Sequence, residues 1–101
     1  MQAQLPIPPD QLESLGTRHR IRKLSLFGSR SRGDAKADSD YDLLVEFDNG
    51  ARTTLLDMAR IEAELSNLLG GRKVDLRTPG DLSRYFRDEV IRAATPQYVS
   101  G

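Results

Sequence analysis

Two aspartates, Asp40 and Asp42, stand one residue apart at the head of an apolar run, "SDYDLLVEF", and a third, Asp75, sits inside "KVDLR". In an extended chain, residues i and i+2 point to the same side. Asp40 and Asp42 are therefore expected side by side, where their charges repel and raise a pKa. A hard divalent cation removes that conflict. Magnesium suits it best, because it takes oxygen ligands from one or two carboxylates together with substrate phosphates. If the "KVDLR" segment pairs beside "YDLLVEF", Asp75 joins the same face. Three carboxylates could then hold two ions about 3.5–4 Å apart, the arrangement used for in-line phosphoryl displacement.

Upstream lies "LFGSRSRGDAKAD". Gly28 is expected to end a strand and Ser29 to begin a helical turn. Backbone N–H groups at such a turn bind anions, and glycine lets the chain come close to a phosphate. The Ser29 hydroxyl can donate to a phosphate oxygen, and Arg30 and Arg32 can supply positive charge. Gly33 allows a sharp exit from the short helix, and Lys36 reads as a solvated charge.

The elements that must carry these groups follow from periodicity and turn residues. Pro8-Pro9-Asp10 suits a helix start, and a short helix to about Gly16 would bury Leu12 and Leu15. Residues 22–27 read as a strand. "YDLLVEF" reads as a second strand, apolar enough at Leu43–Val45 to be central. Thr54 with Asp57 resembles a capping box, followed by Met58, Ile61, Leu65 and Leu68 at helical spacing; Gly70-Gly71 closes that helix. A short third strand centres on Val74 and Leu76. Pro79 opens a further helical region with Leu82, Phe86, Val90 and Ile91 as its apolar stripe, and "TPQYVSG" is expected to fray. The order α-β-α-β-α-β-α gives a small α/β or α+β domain, its three- or four-stranded mixed sheet flanked by helices. The whole chain, 1–101, reads as one domain with its core at about 10–94.

Composition narrows the function. Lysine plus arginine equals aspartate plus glutamate, 15 each. Affinity for nucleic acid rests largely on phosphate neutralisation, so direct nucleic-acid binding is not expected. There is no cysteine, which removes disulfides, thiol catalysis and Cys-based zinc sites. One histidine makes a histidine-based metal site implausible, and His19 reads as a surface loop residue. No apolar run approaches the ~20 residues of a membrane span, and the N-terminus lacks the pattern of a signal peptide. A cytoplasmic protein is expected.

Gly28-Ser29, ten intervening residues and Asp40-x-Asp42 resemble the nucleotidyltransferase signature of the DNA polymerase β superfamily. The fuller text "GSRSRGDAKADSDYDLLV" is very similar to the minimal nucleotidyltransferases, or MNT proteins, and the likeness runs over roughly residues 10–94. These are commonly antitoxin partners of HEPN-domain ribonuclease toxins. The resemblance implies that Asp40, Asp42 and Asp75 are catalytic and ligate magnesium, two ions in number, with Asp75 assisting deprotonation of the attacking hydroxyl. It implies that Gly28 and Ser29 grip the triphosphate of ATP. It further implies transfer of AMP to a tyrosine hydroxyl of a HEPN toxin, which inactivates the toxin. Two other functions fit the same residues: neutralisation of a toxin by binding alone, and nucleotidyl transfer to a small molecule or an RNA end. Residues 79–94, with Arg84, Tyr85 and Arg87, offer a surface for a partner or else a solvated helix face.

Overall fold

The computed structural model describes residues 5–27 and 40–100. The elements are α1 (Pro9–Arg18), β1 (Ile21–Phe27), β2 (Tyr41–Phe47), α2 (Leu55–Leu68), β3 (Val74–Arg77), a 3-10 turn (Pro79–Asp81), α3 (Arg87–Ala93) and β4 (Thr95–Val99). They build an α+β domain around one four-stranded mixed sheet in the order β3-β2-β1-β4. β1 pairs antiparallel with β2 and with β4, and β2 pairs parallel with β3. A parallel pair needs a crossover, and α2 provides it.

One face of the sheet makes the core. Tyr41, Leu43 and Val45 of β2 pack with Leu24 and Leu26 of β1, with Leu12 and Leu15 of α1, and with Ile61 and Leu65 of α2. Leu44 and Ser25, on the opposite face, are buried as well. This double burial explains why "DLLVEF" is continuously apolar at its centre. The helix boundaries follow the expected chemistry. Thr54 N–H donates to Asp57 Oδ2 (3.0 Å) and Asp57 N–H donates to Thr54 Oγ1 (3.2 Å), a closed capping box at the head of α2. Thr78 and Asp81 repeat the device at the 3-10 turn.

Three expectations are corrected. The last residues do not fray: Thr95–Val99 form β4 against β1. Pro96 argues against a strand by sequence, but β4 is an edge, where a missing N–H costs no ladder bond. Gln97 bulges out of the register, and its side chain accepts from Leu5 N–H (2.8 Å) and donates to Thr95 O (3.1 Å). Second, the region after Pro79 is not one amphipathic helix. A 3-10 turn and α3 share it, Leu82 is its buried residue, and no residue of α3 is buried. Third, His19 is not a free loop residue. It closes α1, is largely covered, and pairs through Nε2 with Glu64, which also takes Arg18 at 2.6 Å. Burial raises the Glu64 pKa, but the hydrogen bonds from Arg18 and His19 outweigh it and hold the carboxyl below its ordinary value. The helical turn expected at Ser29, with Gly33 and Lys36, lies outside the described residues.

The free edge of β3 is guarded. Leu76 N–H donates to Glu62 Oε2 of α2 at 3.3 Å, so a carboxylate occupies the ladder position that another strand would use.

Gly16 shows how tightly α1 and β4 meet, since a Cβ there would lie 2.4 Å from Tyr98 Cε2. In an open helix, Gly→Ala stabilises by about 1 kcal/mol. Here the clash decides the sign: Gly16→Ala is expected to destabilise by about 1–3 kcal/mol in urea unfolding. In a Tyr98→Ala background the same change is expected to become stabilising, because the ring is gone.

Candidate active site

β2 and β3 bring the carboxylates together. Their parallel register sets Asp42 directly across from Asp75, with Tyr41 across from Val74 and Leu43 across from Leu76. Val74 and Leu76 are buried, so the alternation of β3 turns Asp75 to the other face, together with Asp42. Asp40 lies two residues before Asp42 and points the same way. The pairing is fixed by packing: slipping β3 by one residue would drive Asp75 into the core and expel Leu76.

The three carboxylates feel one another. Burial raises the pKa of Asp42, and the charges of Asp75 and then Asp40 raise it further, while Arg77 opposes them. Two cations from β3 and its approach stand beside the outer pair. Lys73 Nζ lies 3.9 Å from Asp40 Oδ2, and Arg77 Nη2 lies 3.3 Å from Asp75 Oδ2. Among the described residues, no three acidic or imidazole side chains are drawn into one closed cluster. Each outer carboxylate turns to its own cation, Asp40 to Lys73 and Asp75 to Arg77. The donor set still fits a hard divalent cation, since it consists of carboxylate oxygens on one face with the central group crowded by negative charge.

Gly28, Ser29, Arg30 and Arg32 lie outside the described residues. They fall in the connection between β1 and β2. Phe27, the last residue of β1, is the register partner of Asp42, so the connection leaves the sheet at the carboxylate end. Sequence reasoning missed Lys73 and Arg77 as neighbours of the site. Neither residue belongs to a recognisable motif, yet the i+2 spacing of Arg77 from Asp75 on a strand already places it on the same face. Arg87 turns inward and donates to Leu82 O (3.1 Å), whereas Arg84 and Tyr85 stack on the surface with 5.2 Å between guanidinium and ring. A hollow of about 420 Å³ between β4 and the segment entering α1 contains none of the three aspartates. Among the described residues no helix is long and apolar enough to cross a membrane.

The family model of polymerase β nucleotidyltransferases matches residues 11–98. The protein adenylyltransferase MntA of Thermococcus cleftensis is 36% identical over 91 residues, which cover 82% of this chain and 89% of that protein. A solved structure described as a minimal nucleotidyltransferase is 42% identical, superposes with a TM-score of 0.72, and covers 87% of each chain. A solved toxin–antitoxin structure with AMP-PNP shares the fold at 19% identity, with a TM-score of 0.71, over 93% of this chain and 75% of that one. The strand pairing that aligns Asp42 with Asp75 is thus met in a chain matched almost end to end, and the protein belongs to the polymerase β nucleotidyltransferase family.

Proposed function

We propose that this nucleotidyltransferase is an antitoxin that moves AMP from ATP to a tyrosine hydroxyl of a cognate HEPN ribonuclease toxin and so inactivates it. The observation that carries the reading is the Asp42–Asp75 register, with Asp40 on the same face. Support for a protein acceptor comes from the MntA relative, named a protein adenylyltransferase, and support for a toxin partner from the toxin–antitoxin complex that shares the fold.

In this reading Asp40, Asp42 and Asp75 hold two magnesium ions. The ions, when bound, neutralise the carboxylates and the triphosphate and polarise the α-phosphate. The chain does the rest. Gly28 and Ser29 hold the triphosphate, helped by Arg30 and Arg32. Asp75 takes the proton of the acceptor hydroxyl. That oxygen then forms a bond to the α-phosphorus as the bond to the bridging oxygen breaks, and pyrophosphate departs opposite the attacking atom. Positioning and charge balance supply most of the acceleration.

The acceptor must be held by a surface near this face. Residues 79–94 are the surface assigned to the toxin. No residue of α3 is buried, Tyr85 is 84% exposed and Phe86 49% exposed. Two exposed adjacent aromatics beside a half-covered helix fit the apolar centre of a protein interface. The catalysis occurs where the partner is made inactive, in the cytoplasm.

Mixing the protein with its partner, ATP and magnesium is expected to add one or more AMP units to the partner's intact mass. Asp40→Asn with Asp42→Asn is expected to lower the transfer rate by about a hundredfold or more while the fold persists. Normal transfer by that variant would remove the carboxylates from the chemistry. An unchanged partner mass in a stable complex would mean neutralisation by binding.

The charge cluster also predicts a pH signature in metal-free buffer. The raised pKa of Asp42 means that the folded chain binds this proton more tightly than the unfolded chain. Stability therefore falls as pH climbs from the ordinary carboxylate value through the raised one, and the loss is complete above the raised value. Asp42→Asn is expected to melt higher than wild type at pH 7, with the gain shrinking as pH falls through the raised value and gone below the ordinary carboxylate value, pH ~4. Equal melting at pH 7 would show that Asp42 bears no electrostatic cost.

A further inference from the structure

Arg77 is the second cation that β3 contributes to this face, and its position is unusual for a structural ion pair. Both its Nε and its Nη2 lie 3.3 Å from Asp75 Oδ2. The two residues belong to one strand, so the contact ties no strand to its neighbour. The side chains are 47% and 42% exposed, and an exposed pair of this kind contributes at most about 1 kcal/mol. The contact is therefore weak, local and readily exchanged. Its register partner is Leu44, one step along the same face from Asp42. Lys73 differs: it is 77% exposed and lies 3.9 Å from Asp40, a looser counter-charge.

A cation bound to Asp75 would repel the guanidinium and take over its carboxylate. Arg77 would then stand free beside the position of a metal-bound triphosphate. Arginine is the side chain best shaped for that ligand, with a planar fork that donates two parallel hydrogen bonds to phosphate oxygens. We propose that Arg77 is a phosphate-binding residue of the nucleotide site, held on Asp75 when the site is empty of nucleotide and passed to the triphosphate when a divalent cation takes Asp75. This rests on the nucleotide site proposed above and adds a residue that the Gly28-Ser29 signature does not contain.

The test separates exchange from simple support of the fold. Titration calorimetry of Arg77→Ala with ATP and magnesium is expected to show affinity lowered about tenfold, with adenosine binding unchanged because adenosine has no phosphate. Mn²⁺ alone, followed by electron paramagnetic resonance, is expected to bind several-fold tighter to the variant, since its competitor for Asp75 is gone. Opposite signs for nucleotide and metal are the mark of exchange. Unchanged ATP affinity, or equal weakening for ATP and adenosine, would overturn the proposal. Arg77→Gln, which keeps a polar side chain with part of the aliphatic stem and loses the charge, serves if the alanine variant does not fold. A wild-type chain that binds neither ATP nor Mn²⁺ would overturn the nucleotide site itself, and this role with it. A wild-type chain that binds both, with the variant unaltered, would overturn Arg77 alone.

Discussion

Asp42 and Asp75 face each other across a parallel strand pair, a placement that folding alone disfavours. Like charges directly opposed on neighbouring strands destabilise by some tenths of a kcal/mol to about 1 kcal/mol. The protein keeps them there because the other sides of the same strands are committed to the core. Val74 and Leu76 of β3, with Tyr41 and Leu43 of β2, are buried on the opposite face. Burying an aliphatic side chain of this size contributes about 1.5–3 kcal/mol. A few such residues outweigh the repulsion, so packing imposes the register and the carboxylates must accept it. The cost shows in Asp42, whose pKa is raised by burial and by the charges of Asp75 and Asp40.

The surrounding elements serve that register. α2 crosses from the end of β2 to the start of β3, and the capping box at Thr54–Asp57 fixes where it begins. Gly70 and Gly71, both at positive φ, let the chain turn back into β3 at once. Glu62 then holds Leu76 N–H from the outer side. β3 has only four residues, too few to set its own alignment by hydrogen bonds, so these constraints support the packing from its N-terminal side and from the edge.

Much of this was legible in the sequence, for identifiable reasons. β2 could be read to the residue because a doubly buried strand is a continuous apolar run between polar ends. α2 could be read because its cap and its glycine stop are local chemistry. Asp75 could be placed beside Asp42 only conditionally, since strand order is a long-range property. β4 was missed because Pro96 breaks the strand pattern, and only its edge position makes proline harmless there. The single amphipathic helix expected after Pro79 does not form, for the opposite reason: Phe86, Val90 and Ile91 have helical spacing, yet the sheet offers them no deep burial. His19 looked free because its partner, Glu64, is distant in sequence. The cations beside the aspartates, Lys73 and Arg77, were visible in spacing but carry no motif.

β4 has a consequence for the order in which the molecule assembles. It pairs Thr95 with Leu26 and Val99 with Lys23, joining segments far apart along the chain. On the ribosome, β1, β2, α2 and β3 emerge first, and contacts among them are nearer in sequence and close sooner. The carboxylate face can therefore be complete while the outer side of β1 still offers unsatisfied N–H and C=O groups, backed by Leu24 and Leu26. Such an edge invites pairing with any other extended chain until β4 arrives to cover it. β4 thus covers the edge that β1 leaves open. Synthesis that stalls after β3 would leave a nascent chain with its aspartates aligned and its sheet open to aggregation.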